Sequence, residues 1–410
     1  MGNHSPNKRD WKGGKLVHDV FLRAVPIIEK IEKAGFEAYF VGGSVRDYLL
    51  GKEIEDVDIA TSALPEEIKN IFPRTVDVGI EHGTVLVLFK GDAYEVTTFR
   101  TDGDYKDFRR PEQVTFIRSL HEDLKRRDFT MNAIAMDKDG GIIDPFNGRE
   151  DIAEKRIRTV GIADERFQED ALRIMRGVRF VSQLGFQMEH KTYHALKQYA
   201  PLLEHIAVER IYTEFCKLLE GEFKSQALHM IVDCGIHHYL PGLSNHSDEL
   251  KKAAELCEKT SFTEMEMWAL LLYLCQPKKE EAFLRRWKMP VKKIREIRNI
   301  KAVILRRKVQ DWTVEMLYET GIEIARPAEK VYRVLQEIPL ADYDQKLDRL
   351  HDELVIHDRK ELAVSGHDLM QWYNKKSGPW IREALEKIER AVLRREVDND
   401  KVRIKEWLQL

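Results

Sequence analysis

Two aspartates one residue apart, Asp56 and Asp58, stand in the run Glu55-Asp56-Val57-Asp58-Ile59-Ala60. Alternate side chains of a strand share a face, so these carboxylates would lie about 6–7 Å apart. Upstream, Gly42-Gly43-Ser44-Val45-Arg46-Asp47 joins a Gly-Gly turn to an arginine. Such a turn lets the backbone approach a ligand closely, and a helix starting there would offer free N–H groups to phosphate. Arg46 would add a positive charge one helical turn in. Two unit charges about 4 Å apart, at an effective dielectric near 20, repel by about 4 kcal/mol. Mg²⁺ would remove that repulsion and bridge Asp56 and Asp58 to a triphosphate, which is the chemistry of phosphoryl transfer. An Asp-x-Asp by itself reads better as a solvated edge strand; the neighbouring segments reverse that reading.

Glu95, in Tyr94-Glu95-Val96-Thr97, is a candidate third acid sharing its face with Thr97, and the periodicity equally allows a solvent-facing glutamate. Arg126-Arg127-Asp128-Phe129-Thr130-Met131-Asn132-Ala133 offers two forked phosphate donors and an amide, and also a capped helix start at Asp128 or Thr130. Between them, Asp104-Tyr105-Lys106-Asp107-Phe108-Arg109-Arg110-Pro111 reads as a mobile loop able to close over a substrate. In Glu169-Asp170-Ala171-Leu172-Arg173-Ile174-Met175-Arg176-Gly177-Val178-Arg179-Phe180, helical spacing aligns Asp170, Arg173 and Arg176, with Arg179 one step further. An i,i+3 salt bridge accounts for Asp170 and Arg173. It leaves a row of arginines unaccounted for.

The elements that must position these groups divide the chain. The first third is α/β: a helix over Val17–Ala34 with Val20, Phe21, Ala24, Ile27, Ile28 and Ile31 on one face, and a strand Ala38–Val41 ending at the Gly-Gly turn. A short helix Pro65–Phe72 follows, then strands Gly83–Phe89 and Tyr94–Phe99 joined through the Lys90-Gly91-Asp92 turn. This order predicts a small, mostly antiparallel sheet backed by helices on one side. Past about Ile152 the strand signals fade into helices, among them Gln168–Gly185, Val208–Leu219, Glu264–Leu274, Thr313–Thr320 and Pro379–Arg394.

At 410 residues, several domains are expected. The 43% hydrophobic fraction supplies cores, and 33% charged residues an ionised surface. The net charge of −3 hides a basic stretch, Arg285–Lys308, in which Glu296 is the only acid. That field suits a nucleic-acid backbone or, equally, a solvated helix face. Cys216, Cys234, Cys257 and Cys275 stand singly, as core residues of a reduced compartment do, without zinc or disulfide spacing. The polar N-terminus lacks a signal peptide's apolar core, and no run approaches the ~20 apolar residues of a membrane span, so a cytoplasmic location and no membrane partner are expected.

These segments, in this order, resemble the tRNA nucleotidyltransferases (CCA-adding enzymes) and bacterial poly(A) polymerases of the DNA polymerase β-like superfamily. Gly42–Thr61 is similar to the family's catalytic motif and Arg126–Ala133 to its ribose-proximal motif. Asp144-Pro145-Phe146-Asn147-Gly148 resembles the linker to the neck, Glu169–Phe180 the nucleotide-reading helix, and Glu209-Arg210-Ile211 the final neck motif. Leu362–Leu369 and Ser377-Gly378-Pro379-Trp380 are similar to the short bacterial CCA-adding subgroup. The resemblance implies an α+β fold: a polymerase β-like nucleotidyltransferase head over 1–151, then an all-helical neck (152–222), body (223–320) and tRNA-binding tail (321–410).

It also implies residue roles. Asp56 and Asp58 would hold two Mg²⁺ ions with Glu95 assisting the attacking hydroxyl, Gly43 and Arg46 would meet the triphosphate, and Arg127, Arg176 and Arg179 would bind the nucleotide. Asp170 would accept from an exocyclic amine while Arg173 donates to the adjacent ring nitrogen. Cytosine and adenine both present that donor beside that acceptor. Uracil and guanine invert it, leaving buried groups unpaired at about 1–3 kcal/mol each. CTP, ATP and the 3′ end and acceptor stem of tRNA are therefore the implied partners; a homodimer is left open. Full CCA addition is favoured over A-only addition, CC-only addition and poly(A) synthesis, because the Asp104–Pro111 loop is present and the segment after Gly378 is short. Two other classes bear weighing. The dipeptides His351-Asp352, His357-Asp358 and His367-Asp368 raise a metal phosphohydrolase, though without further spaced ligands. A degenerate RNA-binding scaffold is the non-enzymatic alternative.

Overall fold

The computed structural model describes residues 19–103, 105–106, 110–111 and 114–409, which form two compact units, one up to Ser247 and one from Asp248. In the first, helix α1 (Asp19–Lys33) buries Phe21, Ala24, Ile27, Ile28 and Ile31, the expected stripe. It packs on β1 (Ala38–Val41), which runs into helix α2 (Gly43–Leu49) through Gly42. β2 (Asp58–Thr61), helix α3 (Pro65–Ile71), β3 (Thr75–Gly79), β4 (Thr84–Phe89) and β5 (Asp92–Thr98) follow.

The main sheet has seven strands in the order Ile142–Ile143, Ala135–Met136, β1, β2, β5, β4, β3. All neighbours are antiparallel except β2 and β5, so the sheet is mixed. The β4–β5 hairpin closes through Lys90 and Gly91, both at positive φ (53° and 94°), as a two-residue turn matched to strand twist requires. Phe99, Leu120, Leu124, Ala133, Ala135 and Val160 cluster with Val41 of β1 and Ala60 of β2, so the strand ends bearing the site rest on a packed base.

Three expectations need correction. β2 begins at Asp58, so Asp56 lies in the segment leading into it rather than in the strand, although the exposed–buried alternation already runs through it. Strand pairing does not end at Ile152: Arg156–Ile157 pairs in parallel with Gln187–Met188, too short a segment to show a period. The helix expected over Gln168–Gly185 is two helices, Ala163–Glu169 and Leu172–Leu184, broken where Asp170 is extended (φ −135°, ψ 102°). In the Asp104–Pro111 loop, Tyr105–Lys106 pairs with Arg110–Pro111, while Asp104, Asp107, Phe108 and Arg109 lie outside the described residues.

The second unit is helical among its described residues. Helices Glu264–Cys275, Val291–Arg307 and Ile322–Leu335 pack together, with the Trp268 and Trp287 rings edge to face at 5.0 Å. Much of the basic stretch meets acids of neighbouring helices: Lys293 pairs with Glu264, Arg298 with Glu281, Arg306 with Glu319 and Arg307 with Glu329. Its positive charge is thus compensated in part within the fold. A further cluster, including Leu354, Ile356, Leu369, Ile388, Val392 and Ile404, forms the core of the last helices.

Candidate active site

Gly42 carries the turn between β1 and α2 at φ 73°, ψ −138°, a backbone state open essentially to glycine. A Cβ there would stand 3.3 Å from Arg127 Nη1 and 3.4 Å from Asp58 Oδ2, so the glycine also makes room for both side chains. On α2, Arg46 forks onto Asp47 at 2.9 and 2.8 Å and donates to Asn132 Oδ1 at 2.8 Å.

Asp58 on β2 is the register partner of Glu95 on the parallel strand β5, which sets the two acids side by side on one face. The Asp58 carboxyl opens to solvent on one side and is crowded by protein on the other. That partial burial, with Glu95 and Asp56 as like charges, pushes its pKa above the usual carboxylate value against the pull of Arg127.

Arg126 and Arg127 both grip Asp123, at 2.9 and 3.2 Å, and Asp123 is 1% exposed. Burial pushes that carboxyl up, but the two arginines hold it below its ordinary value. Asp128 accepts from Asn132 Nδ2 at 3.1 Å and from Arg176 Nε at 2.7 Å. Burial again opposes its charge, yet Arg176 and Asn132 bring its pKa down to about 2. Asp151, also buried, takes Arg156, Arg158 and Thr130, tying this segment to the one that follows.

The break at Asp170 turns its side chain away from the helix row expected for it. Its Oδ1 accepts the Leu172 N–H at 3.0 Å and its Oδ2 pairs with Arg210 at 2.9 Å. Arg173 pairs not with Asp170 but with Glu169 at 2.7 Å, and donates to the Arg126 carbonyl at 3.0 Å. The expected i,i+3 salt bridge is therefore absent, because Asp170 precedes the helix on which Arg173 sits. Arg179 meets Glu214 at 2.9 Å; burial, with Arg176 and Arg46 nearby, lowers its pKa to about 10, at which it remains charged near neutrality. The Arg46, Arg176 and Arg179 guanidiniums all lie within 5.8 Å of the Phe180 ring centre.

One cavity of about 820 Å³ gathers these groups. Gly42, Gly43, Arg46, Asp58, Arg127, Asp170, Arg173, Arg176 and Arg179 all line it, alongside Asp128, Asn132, Phe180 and Arg210. Asp56 and Glu95 do not line it, although both lie close enough to raise Asp58. Sequence reasoning gave no role to Arg210, Glu169 or Phe180. Each sat inside a segment already singled out; the Arg210–Asp170 pairing spans 40 residues and leaves no local signal, whereas Glu169 stands at i,i+4 to Arg173, a spacing that could have found it. Elsewhere, two of the histidine–aspartate dipeptides have structural duties: Asp358 caps the Lys360 N–H, and Asp368 closes the capping box begun by Ser365, accepting the Ser365 N–H, and pairs with Lys401. Among the described residues no three His, Cys, Asp or Glu side chains are grouped to hold a metal alone.

A mixed sheet that sets a glycine turn, paired acids and an arginine-lined cavity together defines a nucleotidyltransferase head of the polymerase type. Residues 38–158 match the family model of the "Poly A polymerase head domain". Residues 185–246 match that of the "Probable RNA and SrmB- binding site of polymerase A", and 260–408 that of tRNA nucleotidyltransferase domain 2. The chain is 51% identical to the CCA-adding enzyme of Bacillus cytotoxicus over 389 residues, covering 95% of this chain and 98% of that one. It is likewise 51% identical to the CCA-adding enzyme of Geobacillus stearothermophilus, covering 95% and 96%. The crystal structure of the Bacillus stearothermophilus CCA-adding enzyme in complex with CTP superposes with a TM-score of 0.88 at 48% identity, over 96% of this chain and 98% of that one. The chain belongs to the CCA-adding enzyme family of tRNA nucleotidyltransferases.

Proposed function

We propose that this protein adds CCA to the 3′ end of tRNA without a nucleic-acid template, using CTP and ATP, and restores incomplete CCA ends. The observation that carries this reading is that Asp170 and Arg173, an acceptor and a donor, line the same cavity as Asp58 and the phosphate-facing arginines. Asp170 accepts the exocyclic amine of cytosine or adenine, and Arg173 donates to the neighbouring ring nitrogen. Gly43 and Arg46 receive the triphosphate, while Arg127, Arg176 and Arg179 bind the nucleotide and balance its charge. Relatives of about 50% identity named CCA-adding enzymes support the choice of reaction.

The donor set suits a divalent ion: oxygen-only, with Asp58 strained electrostatically by Glu95 and Asp56. Asp56 and Asp58 would hold Mg²⁺, with water and phosphate oxygens completing its shell. When bound it lowers the pKa of the attacking 3′-hydroxyl and neutralises charge on the leaving pyrophosphate. Glu95, beside Asp58, is assigned as the third acid at that hydroxyl. We divide the remaining chain into neck (152–222), body (223–320) and tail (321–410), and assign tRNA contact to the tail. There Lys405 lies over Trp372 and Lys387 over Trp407, an arrangement suited to an RNA backbone.

The test is incorporation of labelled CTP and ATP, with Mg²⁺, into tRNAs ending before, within and after CCA. CCA completed on each, and growth stopping there, is expected. Addition of A alone, of CC alone, or of long A tracts would overturn the full-CCA reading, and no incorporation would leave the scaffold.

A further inference from the structure

We infer that Arg210 is a positioning residue for base selection: it holds the Asp170 carboxylate in the orientation that tests for an exocyclic amine. The inference rests on the proposed base-reading role of Asp170. Asp170 lies in the two-residue break between helices Ala163–Glu169 and Leu172–Leu184, with its backbone extended, so neither helix face fixes its side chain. Two contacts do: the Leu172 N–H on Oδ1 at 3.0 Å and Arg210 Nη2 on Oδ2 at 2.9 Å. The first comes from the next turn of the same segment. The second comes from helix Val208–Glu220, which packs along Leu172–Leu184, and so ties the carboxylate to a separate rigid element.

Each carboxylate oxygen accepts two hydrogen bonds, so one contact on each leaves acceptor capacity for an amine from the cavity. Arg210 itself lines the cavity, and its guanidinium holds one oxygen of the Asp170 carboxylate from the cavity wall. Arg173 is fixed by other means: Glu169 and the carbonyls of Arg126 and Arg166. Removing Arg210 should therefore loosen only one half of the reading pair, the half that senses the amine.

That asymmetry gives the test. The ribonucleoside triphosphate of pyrimidin-2-one keeps the ring-nitrogen acceptor of CTP but lacks the exocyclic amine. Single-nucleotide addition to tRNA lacking CCA is measured with CTP and with this analogue, and the ratio of kcat/KM is taken within each variant, so that a general loss of activity cancels. The wild type should prefer CTP by about tenfold or more, the scale set by one unpaired buried acceptor. In Arg210→Gln the ratio should fall to within about threefold of one, with Arg210→Lys intermediate, while preference for CTP over UTP persists through Arg173. Should Arg210→Gln fail to fold, the fall in Arg210→Lys decides the same point. A wild-type ratio near one overturns the Asp170 reading and this inference together. A tenfold wild-type ratio that is lost in Asp170→Ala but survives in the Arg210 variant overturns this inference alone.

Discussion

Arg46, on the helix after the glycine turn, donates to Oδ1 of Asn132 at 2.8 Å, and Asn132 passes the contact on. Its amide nitrogen donates to Asp128 at 3.1 Å, and Asp128 takes Arg176 at 2.7 Å. Donor and acceptor alternate along this chain, so the helix after the glycine turn and the Leu172–Leu184 helix are held in mutual register by three side-chain bonds. The Asn132 amide satisfies both neighbours, its oxygen accepting from the arginine and its nitrogen donating to the carboxylate.

Asn132→Asp keeps the acceptor for Arg46 but replaces the donor to Asp128 with a second negative charge. The variant should lose about 1–3 kcal/mol in urea denaturation at pH 7 and show a raised KM for CTP and ATP alike. Wild-type stability together with wild-type KM would remove Asn132 from the site.

Asp128 sets a pH dependence. Its folded pKa of about 2 lies below the ordinary 3.8, so the folded state resists protonation more than the unfolded chain does. The resulting stabilisation is complete above about pH 4 and is lost as pH falls from there through about 2. Its size is on the order of 2 kcal/mol. Denaturation midpoints of wild type and Asp128→Asn should therefore converge on acidification below pH 4. Parallel curves would show that Asp128 is not the group responsible.

Gly42→Ala tests the turn. At φ 73° and ψ −138° an alanine is strained by about 1–3 kcal/mol, and its methyl would press on Arg127 Nη1 and Asp58 Oδ2. A lowered thermal midpoint and a fall in kcat for both nucleotides are expected. Loss of stability with unchanged kcat would mean that the turn supports the fold without shaping the site.

How far the sequence discloses this arrangement depends on the range of each interaction. The α1 stripe, the Lys90-Gly91 turn and the Asp58 strand are set by neighbours within a few residues, and all are legible from spacing. The segments around Asp56, Arg126 and Glu169 are also legible, because their residue types are costly to place together without a ligand. The kink at Asp170 is not, since leucine, alanine and arginine on either side all favour helix, and tertiary pairing with Arg210 overrides them. The Arg156–Ile157 and Gln187–Met188 pair is too short to carry a period. The partners of the basic stretch are not legible either, because the acids Glu264, Glu281, Glu319 and Glu329 lie on other helices.

Asp58→Asn separates stability from activity. Because its pKa is raised, Asp58 favours the folded state more as pH falls, and its charge at pH 7 works against folding. The variant should match or exceed the wild-type thermal midpoint at pH 7 in the absence of metal, lose incorporation of both CTP and ATP, and no longer gain stability from added Mg²⁺. Chelation of Mg²⁺ should abolish wild-type incorporation. An Asp58→Asn protein that still adds nucleotides would exclude the aspartate from the chemistry.

Glu169 and Arg173 test whether selection resides in a positioned donor. Arg173→Ala removes the donor outright, whereas Glu169→Gln leaves it in place and weakens the ion pair at 2.7 Å that aims it. Arg173→Ala should therefore loosen the choice of CTP and ATP over UTP and GTP by at least about tenfold. Glu169→Gln should loosen it by a smaller factor, because the Arg126 and Arg166 carbonyls still restrain the guanidinium. In the double variant the two losses should not add, since the effect of Glu169 on selection is expected to pass through Arg173 and not through its other partner, Arg166. Additive losses would give Glu169 a contact of its own with the nucleotide, and strict selection in Arg173→Ala would remove the arginine from base reading altogether.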